Sequence, residues 1–165
     1  MKNFTATQKG LITGAAMIAN SFLIYNIKGN FDNKLQYITY CLYVAGVIWT
    51  LLEFSKTTTP ETKFGSYFSQ GFKCFIVVTL LMVAFTFVFL TMHPEMKEQM
   101  AATVKQDLLK MGNKTPLEIE DTLTMARKSF VPALVMAAVF GYLVIGAMVT
   151  AVTGAVLMQT KNKTN

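Results

Sequence analysis

The sequence is short of charged residues, histidine and cysteine, and each shortage excludes a class of protein. Only 15% of the 165 residues are charged, against a usual share of about 25%, which is too few to cover the surface of a small soluble domain. One histidine and two cysteines provide no metal-ligand spacing and no disulfide framework. The glycine-rich phosphate-binding motif G-x-x-x-x-G-K-[ST] is also missing. We therefore expect no catalytic site, no metal site and no cofactor.

Four long stretches of the sequence contain no charged residue. They lie between Lys9 and Lys28, Lys34 and Glu53, Lys73 and Glu95, and Lys128 and Lys161. A helix needs about 20 mostly apolar residues to cross a hydrocarbon core roughly 30 Å thick, whereas a soluble bundle would show a polar face at helical period. The predicted spans cover residues 10–27, 35–54, 74–92 and 131–158, within one membrane domain of residues 1–165. The first is interpreted as a retained span rather than a signal peptide, since no convincing cleavage site follows it.

The segments between the spans predict further helices. Four aromatic residues before span three fall on one helical face: Phe64, Tyr67, Phe68 and Phe72. This spacing favours a short helix lying in the membrane interface. Residues 93–130 combine apolar residues at helical spacing with Pro94 at a helix start and a Thr115–Glu118 capping box, which predicts an amphipathic helical hairpin outside the bilayer. The predicted fold class is all-α, an integral membrane four-helix bundle with an interfacial helix and this extramembrane hairpin.

The net charge of +6 does not indicate a nucleic-acid partner. The lysines flank the apolar stretches and form no stripe interleaved with aromatic residues, so the lipid bilayer is the expected partner. Basic residues lie closest to the spans on the side of the chain termini, whereas those of the 93–130 hairpin lie beside acidic residues. The positive-inside rule therefore predicts cytoplasmic termini and an external hairpin.

Neutral polar residues inside the spans are the first set of candidate functional residues: Asn20, Tyr40, Thr79, Thr86 and Thr150. In lipid, such groups act most often as hydrogen-bond partners between helices, and contact with a substrate is the alternative. Charged residues occur only at the ends of the spans, where Glu53 is expected to be a solvated carboxylate at the interface. This pattern argues against a charge-driven transporter.

Small residues at helical spacing in spans one and four are the second set: Gly10, Gly14, Ala133, Ala137, Gly141, Gly146 and Gly154. Small side chains allow helix backbones to approach closely and to gain contacts that lipid cannot match. The spacing favours packing within one four-helix bundle. The alternative is that part of this surface receives a helix of another membrane protein or of a second copy of the chain.

His93, followed by Glu95 and Glu98, is the remaining group that could carry chemistry. A catalytic zinc normally takes three protein ligands, and one histidine beside acids at a helix start falls short of that set. We expect His93 to cap the helix or to lie on the surface, with a pH-sensing role as the alternative.

The order of features from residue 68 onward resembles one known family. The run Phe-Ser-Gln-Gly-Phe-Lys at 68–73 leads into a span that ends in X-Pro, an acidic hairpin follows, and Phe-Val-Pro at 130–132 precedes a glycine-containing last span with a basic tail. This order resembles the bacterial membrane family catalogued as domain of unknown function 4199, over nearly the whole chain. The family pattern usually has Asp where this sequence has His93. The resemblance implies a four-span bacterial envelope protein and no established activity.

Two functional hypotheses follow from these patterns. The leading one is a non-enzymatic accessory or scaffold subunit of a complex in the bacterial inner membrane, acting through helix packing and its external hairpin. The alternative is a small transporter, channel or lipid-binding protein for a neutral or lipidic substrate.

Overall fold

The computed structural model describes residues 4–28, 33–59, 61–112 and 114–163. These residues form five helices and no strand: α1 (Ala6–Lys28), α2 (Asn33–Lys56), α3 (Phe64–Met92), α4 (Glu95–Met111) and α5 (Pro116–Lys163). Four of them, α1, α2, α3 and α5, are long and apolar enough to cross a membrane. The predicted all-α fold class with four spans is therefore confirmed. The turn predicted between spans one and two falls mainly on residues 29–32, which lie outside the described residues.

The chain forms two compact units. The bundle unit comprises Met1–Met82 and Val139–Asn165, and the hairpin unit comprises Val83–Ala138. Helices α3 and α5 each contribute one part to the bundle unit and the other part to the hairpin unit.

The interior of the bundle unit is filled by both apolar and polar side chains. Met17, Tyr43, Val47 and Leu51 are fully buried. Its outer surface carries large apolar side chains that are more than half exposed, among them Leu23, Leu80 and Val152. An apolar surface of this extent is rare on a soluble monomer, and it suits contact with lipid.

The aromatic segment before span three differs from the prediction of a separate interfacial helix. Helix α3 begins at Phe64 and continues without a break to Met92. Tyr67 is buried and packs against Gly154 of α5, where a Cβ atom would lie 3.2 Å from the Cβ of Tyr67. Tyr67 of the aromatic face therefore packs on a neighbouring helix, whereas Phe64 and Phe72 of the same face stay partly exposed. The spacing of the residues alone could not distinguish these two surroundings.

Local features of the sequence end α4 and begin α5 in the hairpin unit. Helix α4 ends where Gly112 adopts a left-handed conformation, with φ of 64°, and its N–H donates to the carbonyl of Leu108. Glycine occupies this position because it has no Cβ to clash there. Helix α5 begins with reciprocal capping, since the Thr115 N–H donates to the Glu118 carboxylate at 2.7 Å and the Glu118 N–H donates to the Thr115 hydroxyl at 3.4 Å.

A small apolar core holds α4 against the first turns of α5. Ala101 of α4 is buried together with Ile119 and Leu123 of α5. An ion pair between Arg127 and Glu98, with Nε and Oε2 3.1 Å apart, joins the same two helices at the surface. The predicted hairpin is thus present, but its second helix is continuous with span four, because Pro132 lies inside α5 and does not end it.

Candidate functional site

An ion pair between a buried lysine and a partly exposed glutamate joins α1 to α2 in the bundle unit. The Lys9 Nζ lies 2.5 Å from the Glu53 Oε2, and the side chains of Lys9 and Glu53 are 5% and 28% exposed. The same ammonium group lies 5.6 Å from the centre of the Trp49 ring, within cation–π distance. A buried charge is costly unless it is paired, so Glu53 and Trp49 are what make the buried position of Lys9 tolerable.

A second polar contact joins α2 to α3. The buried Thr50 hydroxyl lies 2.9 Å from the carbonyl oxygen of Gly46 and 3.2 Å from the Sγ of Cys74. Gly10 of α1 lies close to the same place, since a Cβ atom there would be 2.7 Å from the Cys74 carbonyl oxygen. Three helices therefore meet around Cys74, and their close approach depends on the absence of a side chain at position 10.

A third polar contact joins α2 to α5. The Tyr43 hydroxyl donates to the carbonyl of Tyr142 at 2.7 Å, and the buried Thr79 hydroxyl of α3 donates to the carbonyl of Phe75 at 2.8 Å. The rings of Tyr43 and Tyr142 pack edge to face with their centres 5.5 Å apart. A Cβ atom at Gly146 would collide with the Tyr43 hydroxyl and with Phe75, so this glycine makes room for the bond.

The comparison with protein families assigns the chain to one of them. The family model described as "Protein of unknown function (DUF4199)" matches residues 8–159. The chain belongs to this family. The match includes all four candidate spans almost completely, as well as the ion pair and both tyrosines. Neither the comparison with curated proteins nor the comparison with solved structures gives a match.

The predicted polar residues of this family member lie in different surroundings. The Asn20 amide donates to the Thr39 hydroxyl at 2.9 Å and so links α1 to α2. Thr79 is buried near Tyr43, and the half-buried Tyr40 has its ring centre 6.0 Å from that of Tyr142. Thr86 is half-buried and lies in the hairpin unit, whereas the other four predicted polar residues lie in the bundle unit.

Thr150 is the polar residue with the least usual surroundings. Its side chain is fully buried and packs against Gly71 of α3, where a Cβ atom would collide with it. Its hydroxyl has no hydrogen-bond partner among the described residues. An unpaired hydroxyl inside a protein is costly, so Thr150 is a polar group that the packing of the described residues leaves unsatisfied.

The predicted small residues divide into two groups. Each of Gly10, Gly14, Gly146 and Gly154 lies close to a neighbouring helix of the bundle unit. Gly141 has nothing within 4 Å of the position of a Cβ atom, and Ala133 and Ala137 are exposed. Only the first group acts in packing within the chain. The second group leaves a small-residue face of α5 uncovered.

The ion pair was not predicted from the sequence, and Glu53, expected to be a solvated carboxylate at the interface, pairs with Lys9 while 28% of its side chain stays exposed. Lys9 lies 19 positions before the end of α1 at Lys28, and Glu53 lies 20 positions after the start of α2 at Asn33. Two antiparallel helices separated by only four residues bring such positions together, so the spacing could have predicted the pair. The described residues contain no group of three or more His, Cys, Asp or Glu side chains that could hold a metal ion.

Proposed function

We propose that this chain is a non-enzymatic scaffold subunit of a complex in a bacterial inner membrane, with its termini in the cytoplasm. The observation that carries the proposal is the surface of α5. Only 17% of its most apolar stretch is buried, against 33–39% in the other three spans. The exposed face includes Ala133 and Ala137, and small residues of this kind allow a partner helix to approach closely.

The polar residues of the spans support the same proposal. Asn20, Tyr43 and Thr50 use their polar groups to link helices of this chain to one another. Such bonds stabilise helix association within a membrane. Side chains that are occupied in this way are less available to line a path for a substrate.

The proposal predicts that the isolated chain neither transports nor converts anything. We would reconstitute the purified protein into liposomes and measure proton flux with an internal pH dye, osmolyte entry by light scattering and lipid scrambling with a fluorescent phospholipid. The expected rates equal those of protein-free liposomes. A rate above that background, lowered by Asn20→Leu, would contradict the scaffold function.

Transport of a neutral or lipidic molecule is the second candidate, and the buried Thr150 hydroxyl favours it. If Thr150 contacts a passing molecule, Thr150→Val should lower flux of a neutral solute or lipid without lowering the melting temperature. Equal flux for Thr150→Val and the wild type would remove this candidate.

A further inference from the structure

Four lysines lie at the end of the bundle unit that carries the chain termini. Lys56 is the last residue of α2, Lys63 precedes α3, Lys73 lies in the third turn of α3, and Lys161 lies in the last turn of α5. They share one end because the Lys161 Nζ donates to the carbonyl of Thr58, in the α2–α3 loop, at 2.7 Å. We call these four residues the basic collar.

The charge of the basic collar is not neutralised within the described residues. None of its four lysines forms an ion pair there. The acidic residues at the same end are Glu53, which is paired with Lys9, and the exposed Glu61. The hairpin segment 93–130 differs, because its six basic residues are matched by six acidic ones. Positive charge is thus concentrated at one end of the bundle unit.

The length of α3 indicates where the basic collar lies relative to a bilayer. The 19 mostly apolar residues 74–92 of α3 span about 28 Å at 1.5 Å per residue, which matches a hydrocarbon core of about 30 Å. The preceding ten residues, 64–73, then extend roughly 15 Å further, through the headgroup layer. Lys73 lies at the hydrocarbon boundary, and Lys63 lies just beyond the phosphates, within about one Debye length of them.

Aromatic side chains accompany the basic collar at this depth. Phe64 and Phe72 are 37% and 45% exposed, and each lies next in sequence to a collar lysine. A phenylalanine ring has no polar group, so at this depth its exposed surface packs on the acyl chains close to the headgroups. A lysine beside such a ring can reach a lipid phosphate while the ring packs on the chain of the same lipid.

We propose that the basic collar binds the headgroups of anionic phospholipids. The unneutralised charge, its depth and the adjacent exposed rings all fit a lipid that has both a negative headgroup and acyl chains. Juxtamembrane lysines attract anionic lipids through the surface potential, and this attraction is screened by salt. The proposal does not depend on the scaffold function. It concerns the basic collar, which contacts lipid, whereas the scaffold function concerns the uncovered face of α5, which would contact a partner helix.

The proposal is tested by measuring which lipids stay bound to the protein. The full chain would be placed in nanodiscs with equal amounts of phosphatidylglycerol and phosphatidylcholine, and the retained lipids counted by native mass spectrometry. We expect the wild type to retain phosphatidylglycerol preferentially. Replacing the four collar lysines with glutamine should lower this preference by at least about tenfold, and raising the salt from 0.1 M to about 1 M should also lower it strongly.

Two control variants separate the basic collar from charge in general and from misfolding. Substituting lysine by arginine at the four collar positions should preserve the preference. A matched variant carries glutamine at four positions of the hairpin segment: Lys97, Lys105, Lys110 and Lys128. It should also preserve the preference, and equal losses in the two glutamine variants would overturn the proposal. So would displacement of phosphatidylglycerol by inorganic phosphate at constant ionic strength, because the occupant would then be free phosphate and not a lipid.

Discussion

The Tyr43 hydroxyl and the Tyr142 carbonyl oxygen are 2.7 Å apart, although the two residues are separated by 99 positions in the sequence. The bond joins α2 to α5 in the interior of the bundle unit, where the side chain of Tyr43 has no exposed surface. Its length and its burial make it a structural cross-link between the first and last parts of the chain.

Removal of that cross-link should destabilise the bundle unit without changing its packing. Tyr43→Phe keeps the ring and deletes the donor, so we expect the free energy of unfolding to fall by about 1 kcal/mol. The measurement is the melting temperature in detergent. Tyr37, which is 69% exposed, provides the control, and Tyr37→Phe should leave the melting temperature unchanged. Equal melting temperatures for Tyr43→Phe and the wild type would refute the cross-link.

Two glycines of α5 should respond oppositely to the same substitution. A Cβ atom at Gly146 collides with Tyr43 and Phe75, whereas one at Gly141 meets nothing within 4 Å. Gly146→Ala should therefore cost about 1–3 kcal/mol through overpacking. Gly141→Ala should gain up to about 1 kcal/mol, because alanine favours the helix. Thermal unfolding of the two variants side by side checks the prediction, which fails if both change stability in the same direction.

The Lys9–Glu53 ion pair should show strong coupling in a double-mutant cycle. Glu53→Leu leaves the Lys9 ammonium buried without its partner and should cost about 3 kcal/mol. Lys9→Met should cost less, because Glu53 is 28% exposed and can be hydrated. The double variant should recover much of the stability lost in Glu53→Leu, since neither charge remains. Additive losses, measured by denaturant unfolding, would show that the two residues act independently.

The apolar core of the hairpin unit should govern the protection of α4 from hydrogen exchange. Leu123 is 2% exposed and packs with Ala101, so Leu123→Ala should lower the local stability by about 3 kcal/mol. Leu117 is 73% exposed, and Leu117→Ala serves as the matched control. Hydrogen exchange across residues 95–127 should accelerate in the first variant and not in the second. Unchanged exchange in Leu123→Ala would mean that this core does not hold the hairpin.

Features that depend on residues close together in sequence were predictable. The capping box at Thr115 and Glu118 and the glycine stop at Gly112 need only local backbone geometry. The positions of the four spans could be predicted from the distribution of charged residues along the sequence. The Lys9–Glu53 pair was also predictable, because only four residues separate the end of α1 at Lys28 from the start of α2 at Asn33.

Features that depend on how the helices face one another were not predictable. Gly141 and Gly146 both stand out as small residues in one apolar helix, yet only Gly146 faces Tyr43. The Tyr43–Tyr142 bond requires α2 and α5 to be neighbours, and nothing in the sequence between them fixes this. The spacing of the aromatic residues 64–72 does not show which of them contact protein, and the structure shows that Tyr67 packs on Gly154 while Phe64 and Phe72 stay partly exposed.

Co-purification from the native membrane tests the scaffold function most directly. The tagged chain would be extracted in mild detergent, and its partners quantified by mass spectrometry for three proteins: the wild type, Ala137→Leu on the uncovered face of α5, and Ala45→Leu on the exposed surface of α2. We predict a stoichiometric membrane partner that is retained by the wild type and Ala45→Leu and lost from Ala137→Leu. Purification of the wild type without a stoichiometric partner, or equal recovery of the partner with all three proteins, would contradict the proposed function.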